Sequence, residues 1–311
     1  MFIMSALLGV AAVFLIIAVG FFATKRGHLS PETETSLTVL TLTYAVPALI
    51  FSNTMEQLTL EMLKDEFGWY IGLPFLIIFT GYALAQLLGM GLRFSREERG
   101  ATSALFAMAN VVFIGLPICL AIFGEWSAPY VIAYVPANTI LFWTIGNIGM
   151  MPTKRLKAGE LLRQVLSPPL TAFLLALTLT ILRINMPDFI ILGTKMLGGM
   201  ATPAALLIVG ASLYRMDIRK VFIIPKTVAL TLIGRCAVMP VLAYSICRLF
   251  GAPQEMTVIF TIISGMPVMT QAVLVARRYN TCVDDVSHAF ALTTLFSLLC
   301  VPLIVLILGL L

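Results

Sequence analysis

The chain has 311 residues, of which 60% are hydrophobic and only 11% charged. Soluble domains are usually about 45–50% apolar and about 25% charged, so this composition excludes a soluble protein and leaves little for an appended soluble domain. The net charge of +5 lies mainly in short loops between apolar runs, where it sets membrane orientation rather than forming a nucleic-acid surface.

A membrane span needs roughly 20 apolar residues. The first run, "MFIMSALLGVAAVFLIIAVGFFATKRG", is that long, lacks a basic leader and is followed by Lys25-Arg26. It is expected to be a retained first helix rather than a cleaved signal peptide. Nine further runs follow, giving ten expected spans near 3–23, 36–53, 67–91, 101–123, 127–150, 167–184, 188–213, 221–249, 254–278 and 284–310. The loops after spans 1, 3, 5, 7 and 9 carry fifteen Lys and Arg residues. The other loops and their edges carry four, Lys64, Arg183, Lys195 and Arg248. This bias puts the odd loops in the cytoplasm and both termini outside.

Span 4 contains "IGLPICLAIFG", with Gly115 and Pro117, and span 9 contains "SGMPVMTQAVL", with Gly265 and Pro267. Both pairs are offset by 150 (265 − 115 and 267 − 117). "PALIF" at Pro47 in span 2 is echoed by "PAALL" at Pro203 in span 7. Ten spans then divide into two five-span repeats, residues 1–150 and 167–311, joined by a cytoplasmic loop at 151–166. Because five is odd, the second copy enters the membrane from the opposite side, a secondary-transporter pattern. Proline opens a helical segment readily. Breaks at Pro117 and Pro267 would each present free N–H groups and a positive dipole end, and together they favour an anion. The plainer alternative is that both prolines merely kink their helices.

These residues also carry a family resemblance. "NVVFIGLP" from Asn110, "YAVPALIF" from Tyr44, "LLRQVLSPPL" from Leu161, "GRCAVMP" from Gly234 and "ARRYN" from Ala276 occur in order along nearly the whole chain. In these stretches the chain resembles the auxin efflux carrier family, which lies within the bile acid–sodium symporter-like superfamily and includes plant PIN-type carriers and bacterial organic-acid carriers. The short 151–166 loop resembles the bacterial branch. The resemblance implies an all-α membrane protein of ten helices in two inverted repeats, with crossed broken helices 4 and 9. It implies a scaffold of spans 1, 2, 6 and 7 that forms a homodimer, and a moving transport domain of spans 3–5 and 8–10. The implied function is elevator-type carriage of small organic anions, auxin-like or malate- and malonate-like carboxylates, in a bacterial inner membrane. The alternatives are a sodium-coupled bile-acid-type symporter and a transporter-like receptor or sensor.

The expected substrate-binding residues are Asn110, Gly115, Pro117, Gly265, Pro267, Thr270, Gln271, Arg235, Tyr134 and Asn138. Asn110 is able to donate to a carboxylate, to cap freed carbonyls or to bond another helix. Thr270 and Gln271 open the second half-helix and suit a substrate, a cation or simple packing. Arg235 is the one basic residue well inside a span, as a ligand anchor, a gate or a partner for broken-helix carbonyls. Tyr134 and Asn138 share a helical face and suit either a substrate route or packing.

No Asp or Glu falls deep within an expected span. That disfavours a proton antiporter with a buried carboxylate, while Na⁺ coupling through amides, hydroxyls and carbonyls stays open. Five cysteines without a CxxC pattern read as small membrane hydrophobes, not as metal ligands. No enzyme, cofactor or nucleic-acid partner is expected, only substrate, membrane lipid, Na⁺ or H⁺ as a coupling ion and a second copy of the chain.

Overall fold

The computed structural model of the chain describes residues 2–58, 68–151, 159, 165–215 and 224–310. The 151–166 loop lies largely outside the described residues. So do Lys64, Lys154, Arg155, Lys157, Arg163, Arg219 and Lys220, and the expected starts of spans 3 and 8 at 67 and 221. Among the described residues the structure is helical, with one isolated antiparallel bridge and no strand.

The helices, in chain order, are α1 (Phe2–Lys25), α2 (Pro31–Gln57), α3 (Trp69–Gly91), α4 (Arg96–Ala107), α5 (Val111–Phe123) and α6 (Glu125–Met150). They continue with α7 (Pro168–Ile181), α8 (Asp188–Tyr214), α9 (Lys226–Leu249), α10 (Gln254–Ser264), α11 (Thr270–Tyr279) and α12 (Val283–Leu310). Several boundaries follow directly from local chemistry. α2 starts behind Ser30, whose hydroxyl accepts from Thr33 N–H, with Pro31 at the first helical position. α4 starts with a reciprocal capping box between Ser95 and Glu98. α11 ends at Asn280 in the left-handed conformation, φ 53°.

Five helices, α2, α3, α6, α8 and α9, are continuous, long and apolar enough to cross a membrane among the described residues. α12 makes a sixth if its two parts, bent by 47°, count as one span. The apolar helices α5, α7 and α10 are shorter, as is the Ala11–Lys25 part of α1. This is the helix content of an integral membrane protein, in which every backbone polar group must be paired within the fold.

The chain forms two compact units. The first holds α1, α2, α7, α8, most of α5 and the first part of α6. In it, α1 packs on α8 at a pair of glycines. A Cβ on Gly20 would overlap the Leu207 backbone, and one on Gly210 would overlap Ile17 O. Such small-residue contacts let membrane helices approach closely. Ion pairs join Arg215 to Glu34 and Lys195 to Glu56.

The second unit holds α3, α4, the second part of α6 and α9 through α12. Here Gly100 of α4 lies against the Gly149 backbone of α6, again too close for a Cβ. Gly234 of α9 faces the Phe106 ring.

Candidate functional site at the helix crossing

α4 stops at Ala107 and α5 begins at Val111, leaving Met108–Asn110 outside a helix. α10 stops at Ser264 and α11 begins at Thr270, with a turn at Gly265 and extended chain to Met269. The two gaps meet in an antiparallel bridge between Ala109 and Val268. Asn110 N–H donates to the Pro267 carbonyl at 2.8 Å. All of these residues belong to the second unit.

The first break is therefore not where proline marks it. Pro117 lies within the continuous helix α5, just after a wide π-type turn at Val111–Gly115. Proline lacks an N–H and crowds the preceding turn, and a widened turn accommodates that. The second break does contain Gly265 and Pro267. The bridge pairs positions offset by 159 (268 − 109) rather than 150. The helix starts Val111 and Thr270 share that offset (270 − 111). Gly115 and Pro117 belong to the first unit. What marks the first break in sequence is Asn110, a preferred N-cap residue type just before α5.

Three side chains satisfy the exposed backbone of the crossing. Asn138 of α6 accepts from Ala109 N–H at 3.0 Å and donates to Ala109 O at 2.9 Å, as a neighbouring strand would. Its amide also lies 3.6 Å from Met269 Sδ. On the other side of the bridge, Thr293 of α12 accepts from Val268 N–H at 3.2 Å. Arg235 of α9 is 1% exposed. Its Nε donates to Met266 O at 2.8 Å and a terminal nitrogen to Phe106 O at 3.1 Å, with Ile263 O at 3.5 Å from the other. Phe106 lies in the last turn of α4 and Ile263 in the last turn of α10, so the guanidinium sits at the C-terminal, negative ends of both half-helices. Of the three roles expected for Arg235, the geometry displays the pairing with broken-helix carbonyls.

At the opposite ends of the break, Asn110 Nδ2 donates to Thr270 Oγ1 at 2.9 Å. Asn110 is 3% exposed, and Thr270 and Gln271 are half-buried at the first turn of α11. The structure thus brings together Asn110, Asn138, Arg235, Pro267 and Thr270, with Gly265 and Gln271 beside them. Tyr134 is fully buried and lies in the part of α6 that belongs to the first unit.

The sequence matches the family described as "Membrane transport protein" over residues 5–160 and 153–305. The chain belongs to that family. The resemblance to the auxin efflux carriers drawn from the sequence is thereby shown, and the chain is a membrane transporter. This membrane transport protein is 25% identical over 306 residues to a protein of Methanothermobacter thermautotrophicus described as an uncharacterized transporter. That match spans 94% of this chain and 95% of the relative. It is 23% identical over 310 residues to an uncharacterized transporter of Methanocaldococcus jannaschii, spanning 94% and 96%.

Thr293 is the member of the crossing that the sequence reading omits. Its signal is a Thr-Thr pair, Thr293-Thr294, in the interior of an apolar helix. Both hydroxyls also bond the carbonyl four residues back, at 2.7 Å. A serine or threonine doing so is common in membrane helices, which hides the one that accepts a further bond.

Proposed function

We propose that this transporter is a secondary carrier of small organic anions, the carboxylate binding where α5 and α11 begin. The observation that carries the proposal is the meeting of the Asn110 and Thr270 side chains at 2.9 Å, next to the first residue of α5 and on the first residue of α11. Each helix start carries roughly half a positive charge. Two together amount to about one unit, which suits a single carboxylate. The Asn110 amide, the Thr270 hydroxyl and the Gln271 amide supply directional donors for its oxygens.

In this reading the ten apolar segments form two inverted five-helix repeats crossed at the Ala109–Val268 bridge. The matched roles of Asn138 and Thr293, each on the bridge N–H of its own side, support it. Transport proceeds by an elevator motion of a body built around the crossing, against a scaffold that dimerises. The grouping of α1, α2, α7 and α8 in one unit and of α3, α4 and α9 through α12 in the other supports that division, while most of α5 and the first part of α6 group with the first unit rather than with the crossing. The membrane is a bacterial inner membrane, with both termini outside.

The test is a thermal-shift screen of carboxylates on purified protein, since a ligand of the folded state raises its apparent stability. Malonate, malate and indole-3-acetate are the first probes. Any that bind should show saturable uptake into proteoliposomes, and Asn110→Ala should weaken both signals. Binding without uptake would favour a sensor over a carrier. The absence of any carboxylate binder would sink the anion reading.

A further inference from the structure

Arg235 has a consequence for ion coupling. Each half-helix C-terminus carries roughly half a negative charge. The Arg235 guanidinium meets the last turn of α4 through Phe106 O at 3.1 Å and that of α10 through Ile263 O at 3.5 Å, and it also bonds Met266 O, two residues beyond α10, at 2.8 Å. Two such ends amount to about one negative charge, which a single guanidinium balances. The residue is 1% exposed, so water screens this balance little. A second cation bound among the same carbonyls would meet an adjacent fixed positive charge in a low-dielectric site, where like-charge repulsion is strong.

We propose that Arg235 is the resident cation of the crossing, performing the charge-balancing that a bound metal cation performs in a cation-coupled carrier, so that the anion-competent crossing forms without Na⁺. The proposal rests on the carrier reading above for its anion arm only. Arg235 is a positioning residue in it: the guanidinium holds the ends of α4 and α10, and through them the Ala109–Val268 bridge and the starts of α5 and α11.

The test uses the full chain in detergent, with two readouts. The first is thermal stability. Arg235→Ala should lower Tm by about 5–10 °C, because carbonyls that lost their cation stay buried. Low-millimolar guanidinium should restore part of that loss saturably, with no effect on the wild-type protein. Equal concentrations of Na⁺, K⁺ or Li⁺ should not. Arg235→Lys should fall between wild type and Arg235→Ala, since it keeps the charge but loses the fork of donors. Arg235→Met, which keeps the stem and loses the charge, should resemble Arg235→Ala.

The second readout is carboxylate affinity of the wild-type protein with Na⁺ replaced by N-methyl-D-glucamine, using whichever of malonate, malate or indole-3-acetate binds. Affinity should change less than twofold, whereas a coupled cation changes it severalfold. Guanidinium should also recover carboxylate affinity in Arg235→Ala. Three outcomes would overturn the proposal. They are a wild-type affinity that rises saturably with Na⁺, an Arg235→Met variant with wild-type Tm and affinity, and an Arg235→Ala variant rescued by Na⁺ rather than guanidinium. If Arg235→Ala does not fold, Arg235→Lys and the wild-type Na⁺ titration still decide. If no carboxylate binds, the carrier reading fails, and the stability arm alone decides the role of Arg235.

Discussion

Asn138 holds Ala109 by both of its backbone polar groups, accepting from the N–H at 3.0 Å and donating to the carbonyl at 2.9 Å. A single amide on α6 thereby replaces the helical hydrogen bonds that Ala109 gives up at the break. Thr293 does half as much for Val268, accepting its N–H at 3.2 Å. Both side chains are buried, 3% and 2% exposed.

Asn138→Leu should therefore leave an N–H and a carbonyl unpaired in a dry site. An unsatisfied buried group costs about 1–3 kcal/mol, so the loss for two should be roughly 2–6 kcal/mol in stability. Thr293→Val removes one acceptor and should cost about 1–3 kcal/mol, while Thr293→Ser should retain most of the wild-type stability. Thermal unfolding in one detergent ranks the three variants. A neutral Asn138→Leu would mean that Ala109 finds other partners.

The sequence displays much of this fold, because hydrophobic run length and loop charge are local properties. All ten apolar runs contain helix, apart from residues outside the described set. The first break was not legible, because it is made by pairing rather than by a breaker residue. Met108-Ala109-Asn110 contains neither Gly nor Pro, and stays non-helical among partners on Asn138 and Pro267. Pro117 misleads for the complementary reason: a widened turn absorbs it. Arg235 was legible as an unusual charge. Which carbonyls it serves depends on where α4 and α10 end, and no breaker residue marks the end of α4.

The relocated break changes what substitutions at the motif should do. Pro117→Ala regains an N–H inside an existing helix and should alter carboxylate affinity less than threefold. Asn110→Ala removes the donor to Thr270 Oγ1 at 2.9 Å and should weaken affinity about tenfold or more, the equivalent of a charge-assisted hydrogen bond. Titration of the best carboxylate against both variants compares them. A larger loss from Pro117→Ala than from Asn110→Ala would restore the proline as the defining feature of the site.

In the first unit, the contact of α1 with α8 should be the most sensitive to a single methyl group. A Cβ on Gly210 would overlap Ile17 O and one on Gly20 would overlap the Leu207 carbonyl. Backbone cannot swing aside as a side-chain tip can, so Gly210→Ala should cost about 1–3 kcal/mol or more. Gly193, also in α8, has nothing within 4 Å of its Cβ position. Gly193→Ala should be neutral or stabilise by up to about 1 kcal/mol through helix propensity. Opposite signs in one helix would separate packing from propensity, and equal small effects would show that α1 slides to make room.

Orientation in the membrane decides whether the two halves are inverted copies. Fifteen of the Lys and Arg residues fall in or beside the odd loops, against four in the even ones. The basic side of a membrane protein is the cytoplasmic one, so an even number of crossings returns the C-terminus to the side of the N-terminus, outside. An alkaline phosphatase fused after Leu311 should be active, and a conventional GFP at the same place dark. A fusion in the 151–166 loop should show the reverse. That loop is informative because it follows an odd number of expected spans and carries Lys154, Arg155, Lys157 and Arg163. If the loop and the C-terminus report the same side, the second half crosses an even number of times. The second half would then not be a five-span copy of the first, and the Ala109–Val268 bridge would not join inverted copies of one unit.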